Sequence, residues 1–236
     1  MTQLLVSVKN LAEAKMALDL NVDFIDLKNP ADGALGALAP DVIEQVVQFV
    51  ACRKLISATI GNLAMQPESI IQQIQQTERL GVDIVKVGFT NEPLATACIK
   101  AIHDAHFKTK IIGVLFADHL PKIELISFFA AAKFHGVMLD TQAKTTKNLF
   151  DYMSEKDIEK FILTAKAASI LIGLAGKLSF QSVGSALNLA PDFIGVRSAV
   201  CRAGVREGTI SSLKIKALKK LLQKNNTTHI KITCSS

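Results

Sequence analysis

Short apolar runs alternate along the chain with longer segments of helical periodicity. The apolar runs, rich in branched residues, predict strands at Leu4–Lys9, Phe24–Lys28, Leu55–Ile60, Ile84–Gly88, Ile111–Phe116, Val137–Thr141, Ile170–Ala175 and Phe193–Ser198. The periodic segments predict helices at Leu11–Leu20, Pro40–Arg53, Pro67–Leu80, Glu92–His106, Leu120–Phe134, Glu155–Ala168, Phe180–Leu189 and Ile210–Gln223. Successive strands are separated by roughly 20 to 33 residues, which is the span of one strand, one helix and two short loops.

A recurring six-residue sequence motif marks three of the turns from helix to strand. Leu-Gly-Val-Asp-Ile-Val at 80–85 is echoed by Leu-Asn-Val-Asp-Phe-Ile at 20–25 and by Leu-Ala-Pro-Asp-Phe-Ile at 189–194. Eight βα units predict an α/β protein with a single (β/α)8 TIM barrel over residues 1–223, followed by a polar C-terminal tail over 224–236. A doubly wound parallel sheet is the alternative, but no GxGxxG motif follows the first predicted strand.

Composition narrows the classes of partner. The 236 residues carry a net charge of +6, with one Tyr and no Trp, so no aromatic platform for nucleic acid accompanies the basic residues. The positive charge instead favours a small anionic substrate. The cysteines and histidines show no metal-ligand spacing, and we expect neither a metal nor another cofactor. The sequence has no signal peptide and no apolar run of about 20 residues, so we expect a cytoplasmic protein that does not enter the membrane. A symmetric homo-oligomer is expected on general grounds.

Two lysines lie in predicted buried strands, where burial of a charged amine costs free energy. Lys28 and Lys86 each lie in a short apolar run, close to the end of a predicted strand. A poorly hydrated ammonium group has a pKa that falls from about 10.4 toward neutrality. The resulting neutral amine is a nucleophile for carbonyl carbon or a general base. The alternative is a strand-end lysine whose ammonium group reaches water. Two lysines in equivalent places favour a chemical role.

The barrel topology brings further polar residues to the same end. Strand residues alternate between lumen and helix layer, and barrel active sites lie at the C-terminal ends of the strands. Asp26 is on the same face of its strand as Lys28 and is a candidate to relay a proton. Asp140 ends the sixth strand, where it would activate water or orient a lysine, or else cap the next loop. Other polar residues on these strands are Ser7, Lys9, Ser57 and Thr59.

The loops after the last two strands have the character of phosphate sites. In TIM barrels these loops bind phosphate through backbone N–H groups and a short helix N-terminus. The seventh loop contains Gly176, which allows close backbone approach, and Lys177, which adds charge. The eighth loop carries three arginines within ten residues. We assign phosphate binding to Gly176, Lys177, Arg197, Ser198 and Arg202.

Several of these motifs together resemble the (5-formylfuran-3-yl)methyl phosphate synthase family. The most specific is Phe-Ile-Asp-Leu-Lys-Asn-Pro at 24–30, followed by Gly-Ala-Leu-Gly at 33–36. The resemblance extends from residue 4 to about residue 220, and its other elements lie at 57–61, 85–88, 139–141, 149–154, 173–176 and 195–197. It implies a lyase that joins two molecules of glyceraldehyde 3-phosphate into a furan aldehyde phosphate, on the way to methanofuran or a bacterial analogue. It implies no metal or organic cofactor.

The resemblance also implies roles for individual residues. The Schiff-base lysine of the family corresponds to Lys28 and its proton acceptor to Lys86, while Asp26, Asp140 and Lys144 match further active-site positions. Two other functions remain open. A class I aldolase acting on another sugar phosphate would use the same lysines, and a non-catalytic barrel would bind phosphorylated metabolites without forming a covalent adduct. A furan product, which absorbs in the near ultraviolet, distinguishes the synthase from the aldolase.

Overall fold

Eight parallel strands close into a barrel in the computed structural model, which describes residues 1–143 and 145–233, with the backbone alone over 227–233. The strands are β1 Gln3–Val8, β2 Phe24–Leu27, β3 Leu55–Thr59, β4 Ile84–Phe89, β5 Lys110–Phe116, β6 Gly136–Asp140, β7 Leu171–Leu174 and β8 Phe193–Val196. Each strand pairs in parallel with the next, and β8 pairs with β1. The predicted TIM barrel is confirmed.

Helices follow the strands around the outside of the barrel. They are α1 Leu11–Asp19, α2 Pro40–Val50, α3 Pro67–Arg79, α4 Ala95–Asp104, α5 Leu125–Ala131, α6 Leu149–Tyr152, α7 Glu155–Ala167, α8 Phe180–Asn188 and α9 Ser212–Thr233. The short α6 was not predicted, and a capping box between Asn148 and Asp151 stabilises its start. Helix α5 begins later than predicted because a 3-10 turn, Ala117–His119, ends at Leu120 with a positive φ of 48°.

The C-terminal helix crosses the boundary that we place between barrel and tail. Helix α9 continues from Ser212 to Thr233, and the Asn226 side chain accepts a hydrogen bond of 3.0 Å from the backbone N–H of Thr2. The predicted boundary between the barrel and the C-terminal tail, at residue 223, stays a prediction. Among the helices of residues 1–143 and 145–233, none combines the length and apolarity that a membrane crossing requires.

The recurring Asp of the helix-to-strand turns has a definite structural task. The side chains of Asp23, Asp83 and Asp192 each accept a backbone hydrogen bond of 2.8 Å from the preceding strand. The donors are the N–H groups of Leu4, Ile56 and Ile172. Each donor lies one residue before the first register pair between the two strands, where the ladder has not yet begun. The carboxylates therefore satisfy backbone groups at the N-terminal rim, where an unpaired donor would be costly.

The barrel lumen is apolar at its base and polar at its top. A buried cluster that includes Leu5, Phe24, Ile84, Ile112 and Phe193 fills the lower lumen, and a second, larger cluster packs between the sheet and the helices. Above the apolar layer, the register of the strands sets polar side chains side by side. This layering positions the functional groups at the C-terminal ends of the strands, as the sequence predicts.

Candidate active site

A cavity of about 570 Å³ opens at the C-terminal end of the barrel. Among the described residues, its lining contains six cationic side chains and a single carboxylate, that of Asp140. The cations are Lys28, Lys86, Lys177, Arg197, Arg206 and Lys214. Such an excess of positive charge in a concave, partly apolar site is suited to an anionic small molecule.

Asp26 is the centre of a buried hydrogen-bond network. The strand register aligns it with Ser7 on one side and Ser57 on the other, and both hydroxyls donate to its carboxylate at 2.7 Å. Lys86 Nζ lies 2.6 Å from Asp26 Oδ1, and both side chains are buried. Burial by itself would raise the pKa of Asp26, but the charges of Lys86 and Lys28 and the hydrogen bonds from Lys86 and Ser57 hold it below its ordinary value. Asp26 is therefore an ionised partner that fixes Lys86 in place.

Lys28 is held much more loosely. Its side chain is buried, and its Nζ lies 3.4 Å from Asp140 Oδ2. Burial lowers the pKa of Lys28, and repulsion by Lys86 and Arg206 lowers it further. Attraction by Asp140 and Asp26 opposes this shift without cancelling it. The pKa of Lys28 thus moves in the direction that the sequence predicts, which favours the neutral, nucleophilic amine.

Asp140 contacts both Lys28 and the start of the loop that follows its strand. Its Oδ1 accepts a hydrogen bond of 2.8 Å from the backbone N–H of Thr141, and its Oδ2 faces Lys28. Asp118 accepts hydrogen bonds from the next two backbone N–H groups, at 3.0 and 2.6 Å, and so fixes the start of the loop after β6. Lys144, predicted as a further active-site residue in this loop, lies outside the described residues.

The loops after β7 and β8 present unused backbone donors to the cavity. Gly176 and Lys177 have positive φ values of 94° and 48°, and they line the same cavity as Ser198 and Ala199, which begin a 3-10 turn. The backbone N–H groups of these four cavity-lining residues donate no hydrogen bond to the described part of the chain. A Cβ at Gly176 would approach the Thr141 side chain to 2.8 Å, so glycine is needed for this turn. Free backbone N–H groups in turns of this kind are suited to anions.

Arg197, predicted to bind phosphate, has its guanidinium group occupied by the protein. Its Nη1 and Nη2 lie 2.5 and 3.3 Å from the two carboxylate oxygens of Glu13. The remaining contacts are to the backbone carbonyls of Ser7, Arg206 and Gly208, at 2.7 to 3.0 Å. Arg197 therefore joins helix α1 to the loop after β8. The sequence gives no signal of this pairing, because Glu13 looks like an ordinary acidic residue in the first turn of a helix.

The other predicted phosphate residues are divided between the cavity and the surface. Gly176, Lys177 and Ser198 line the cavity together with Arg197. Arg202 is exposed and is not part of the cavity lining. Arg206, which belongs to the same loop and was not selected from the sequence, lines the cavity instead.

Comparison with known proteins gives a consistent result. The family model described as 4-HFC-P synthase matches residues 4–219. The chain is 32% identical over 233 residues to the (5-formylfuran-3-yl)methyl phosphate synthase of Methanopyrus kandleri, covering 93% of this chain and 98% of the relative. It is 33% identical to the enzyme of the same name from Archaeoglobus fulgidus, covering 89% and 93% of the two chains. Among solved structures, phosphoribosyl anthranilate isomerase from Thermus thermophilus superposes with a TM-score of 0.66 at 16% identity, covering 94% of this chain and 99% of that one, which shows a shared fold.

Proposed function

The chain belongs to the 4-HFC-P synthase family, and on that premise we propose that it condenses two molecules of glyceraldehyde 3-phosphate through a Schiff base on Lys28. The activity that follows from membership is that of a lyase, (5-formylfuran-3-yl)methyl phosphate synthase. The observation that carries the proposal is the buried Lys28 amine, whose pKa is lowered by burial, in a cavity rich in positive charge.

The first step is addition of the neutral Lys28 amine to the aldehyde carbon of one triose phosphate. The ammonium group of Lys86, fixed by Asp26 at 2.6 Å, donates a proton to the carbinolamine hydroxyl, which leaves as water and gives the iminium ion. Lys86 is then a neutral amine, and it removes a proton from the carbon next to the iminium carbon to give an enamine. Used in this order, one lysine serves first as an acid and then as the proton acceptor.

The enamine carbon then attacks the aldehyde carbon of the second triose phosphate and forms the new carbon–carbon bond. Loss of one phosphate, closure of the ring by attack of a hydroxyl oxygen on the iminium carbon with expulsion of the Lys28 amine, and dehydration give the aromatic ring. The atoms balance, since two triose phosphates equal one furan aldehyde phosphate, one inorganic phosphate and two water molecules. The free N–H groups at residues 176, 177, 198 and 199 are suited to one substrate phosphate.

Borohydride reduction followed by intact-protein mass spectrometry tests the proposal. Wild-type protein incubated with glyceraldehyde 3-phosphate should gain a stable adduct, and the small-molecule fraction should acquire near-ultraviolet absorbance. Lys28→Ala should lose both signals. Lys100→Ala is the matched control, because the Lys100 side chain is 76% exposed and lies on the surface of α4. It should retain both.

The remaining outcomes distinguish the alternative functions. An adduct without a furan product would indicate a class I aldolase that acts on another sugar phosphate. Binding of triose phosphate without any adduct, in wild type and Lys28→Ala alike, would indicate a non-catalytic phosphate-binding barrel and would overturn the mechanism. The homo-oligomer expected from the sequence and the role of Lys144 stay predictions.

A further inference from the structure

The three arginines of the loop after β8 differ in how many of their donors are free. The guanidinium group of Arg197 is paired with Glu13 and with backbone carbonyls, and Arg202 points to the surface. Arg206 is half-buried and lines the cavity. Its only hydrogen bond to the described residues runs from Nη2 to the backbone carbonyl of Gly33, at 2.7 Å. Most of its donors are therefore available to a ligand.

The position of Arg206 is fixed from two sides. The Nε–H of Arg197 donates to the backbone carbonyl of Arg206 at 2.7 Å, so the buried ion pair with Glu13 holds the main chain at this point. The bond to Gly33 holds the guanidinium group against the loop after β2, which follows Lys28. A positioned guanidinium group with free donors forms charge-assisted hydrogen bonds at a lower entropic cost than a mobile one.

The Arg206 side chain also contacts the loop after β2, through the backbone carbonyl of Gly33, whereas the free backbone donors belong to the loops after β7 and β8. It is near enough to both Lys28 and Lys177 to act on their charges. The reaction proposed above requires a second phosphate group to be held while the carbonyl carbon is at Lys28.

We propose that Arg206 binds a phosphate group of the substrate on the β2 side of the cavity, and that Arg197 and Arg202 do not bind substrate. The inference rests on the proposed function, because it takes its ligand from the condensation of two triose phosphates. It replaces the sequence-based assignment of Arg197 and Arg202 with one arginine whose donors are free, and it gives the Glu13–Arg197 pair the role of positioning that arginine.

Steady-state kinetics of furan formation from glyceraldehyde 3-phosphate test the inference in Arg206→Met, Arg206→Lys and Arg202→Met. Arg206→Met should raise the substrate concentration at half-maximal rate by roughly 10- to 100-fold, the range expected for loss of a hydrogen-bonded charge on an anion. Arg206→Lys should recover part of the loss, because it keeps the charge but not the planar donors. Arg79→Met, on the exposed surface of α3, is the control for loss of an arginine.

A second readout separates phosphate binding from structural damage. Borohydride trapping on Lys28 with unphosphorylated glyceraldehyde is compared at high pH, on the plateau of each pH profile, because removing the Arg206 charge also raises the pKa of Lys28. The plateau rate should be the same in wild type and Arg206→Met, since no phosphate is present. A substantial fall in this rate would show that Arg206 supports the fold of the site and would overturn the inference. So would wild-type kinetics in Arg206→Met, or a loss in Arg202→Met that equals or exceeds that in Arg206→Met. If wild type forms no furan, the proposed function fails, and a weakening of triose-phosphate trapping in Arg206→Met still decides the role of Arg206.

Discussion

Removing the Glu13 carboxylate should destabilise the protein strongly, because it leaves a buried charge without its partner. The Glu13 and Arg197 side chains are 2% and 8% exposed, and Glu13 also accepts backbone hydrogen bonds from Lys9 and Ile210 at 3.0 and 3.3 Å. Loss of one member of such a pair costs about 3–5 kcal/mol. A domain has a total stability of about 5–15 kcal/mol. For this chain length, the loss corresponds to a fall in melting temperature of roughly 6 to 20 °C.

Urea unfolding followed by circular dichroism measures this effect in Glu13→Ala. Asp104→Ala is the matched control, because it removes the carboxylate of the exposed pair with Lys100 and should give no resolvable change in midpoint. A double variant, Glu13→Leu with Arg197→Met, should lose less stability than the sum of the two single changes, since it leaves no unpaired charge.

Two results would refute this reasoning. One is a midpoint for Glu13→Ala that equals that of Asp104→Ala. The other is strict additivity in the double variant, which would show that the two side chains do not stabilise each other. A functional consequence accompanies the structural one. Because Arg197 holds the backbone of Arg206, Glu13→Gln should weaken the use of phosphorylated substrate more than the trapping of unphosphorylated glyceraldehyde.

The pH dependence of borohydride trapping on Lys28 should shift in opposite directions in two variants. Asp140→Asn removes an attraction that raises the pKa of Lys28, so the rise in trapping rate with pH should move to lower pH. Lys86→Met removes a repulsion that lowers this pKa, so the rise should move to higher pH. Shifts of the same sign would contradict these opposite effects of Asp140 and Lys86 on the pKa of Lys28. Gly173→Ala should cost about 1–3 kcal/mol in urea unfolding, because its Cβ would overlap the ring of the buried Phe193. Gly184→Ala, in α8 with nothing within 4 Å of the new Cβ, should be neutral or stabilising.

The strands and most helices could be predicted from the sequence because each obeys a local rule. The strands are short branched runs between turn signals, and the Asp of the helix-to-strand turns marks three of the strand starts. Once the barrel is assumed, alternation along the strands places Asp26, Lys28 and Lys86 in the lumen without further information. This part of the candidate site therefore follows from strand position alone.

The roles of the arginines in the loop after β8 could not be predicted in this way, because these roles depend on contacts between segments that are distant in sequence. Arg197 and Glu13 are 184 residues apart in sequence, and nothing near either residue indicates the other. The sequence alone does not distinguish the three arginines of the loop after β8. Their roles separate only when the fold assigns one to a buried ion pair, one to the surface and one to the cavity.

The loose contact between Lys28 and Asp140 suits a residue that must change its charge during the reaction. In the free protein, burial and neighbouring cations favour the neutral amine of Lys28, and Asp140 at 3.4 Å opposes them only in part. Once the protonated imine forms, the same nitrogen carries the positive charge that makes the neighbouring carbon acidic. Asp140 then faces this cation and stabilises its protonated form. A tighter pair, such as that between Lys86 and Asp26 at 2.6 Å, would keep Lys28 protonated and slow its attack on the aldehyde. The difference between the two ion pairs therefore supports the proposal that Lys28 is the nucleophile and that Lys86 transfers the protons.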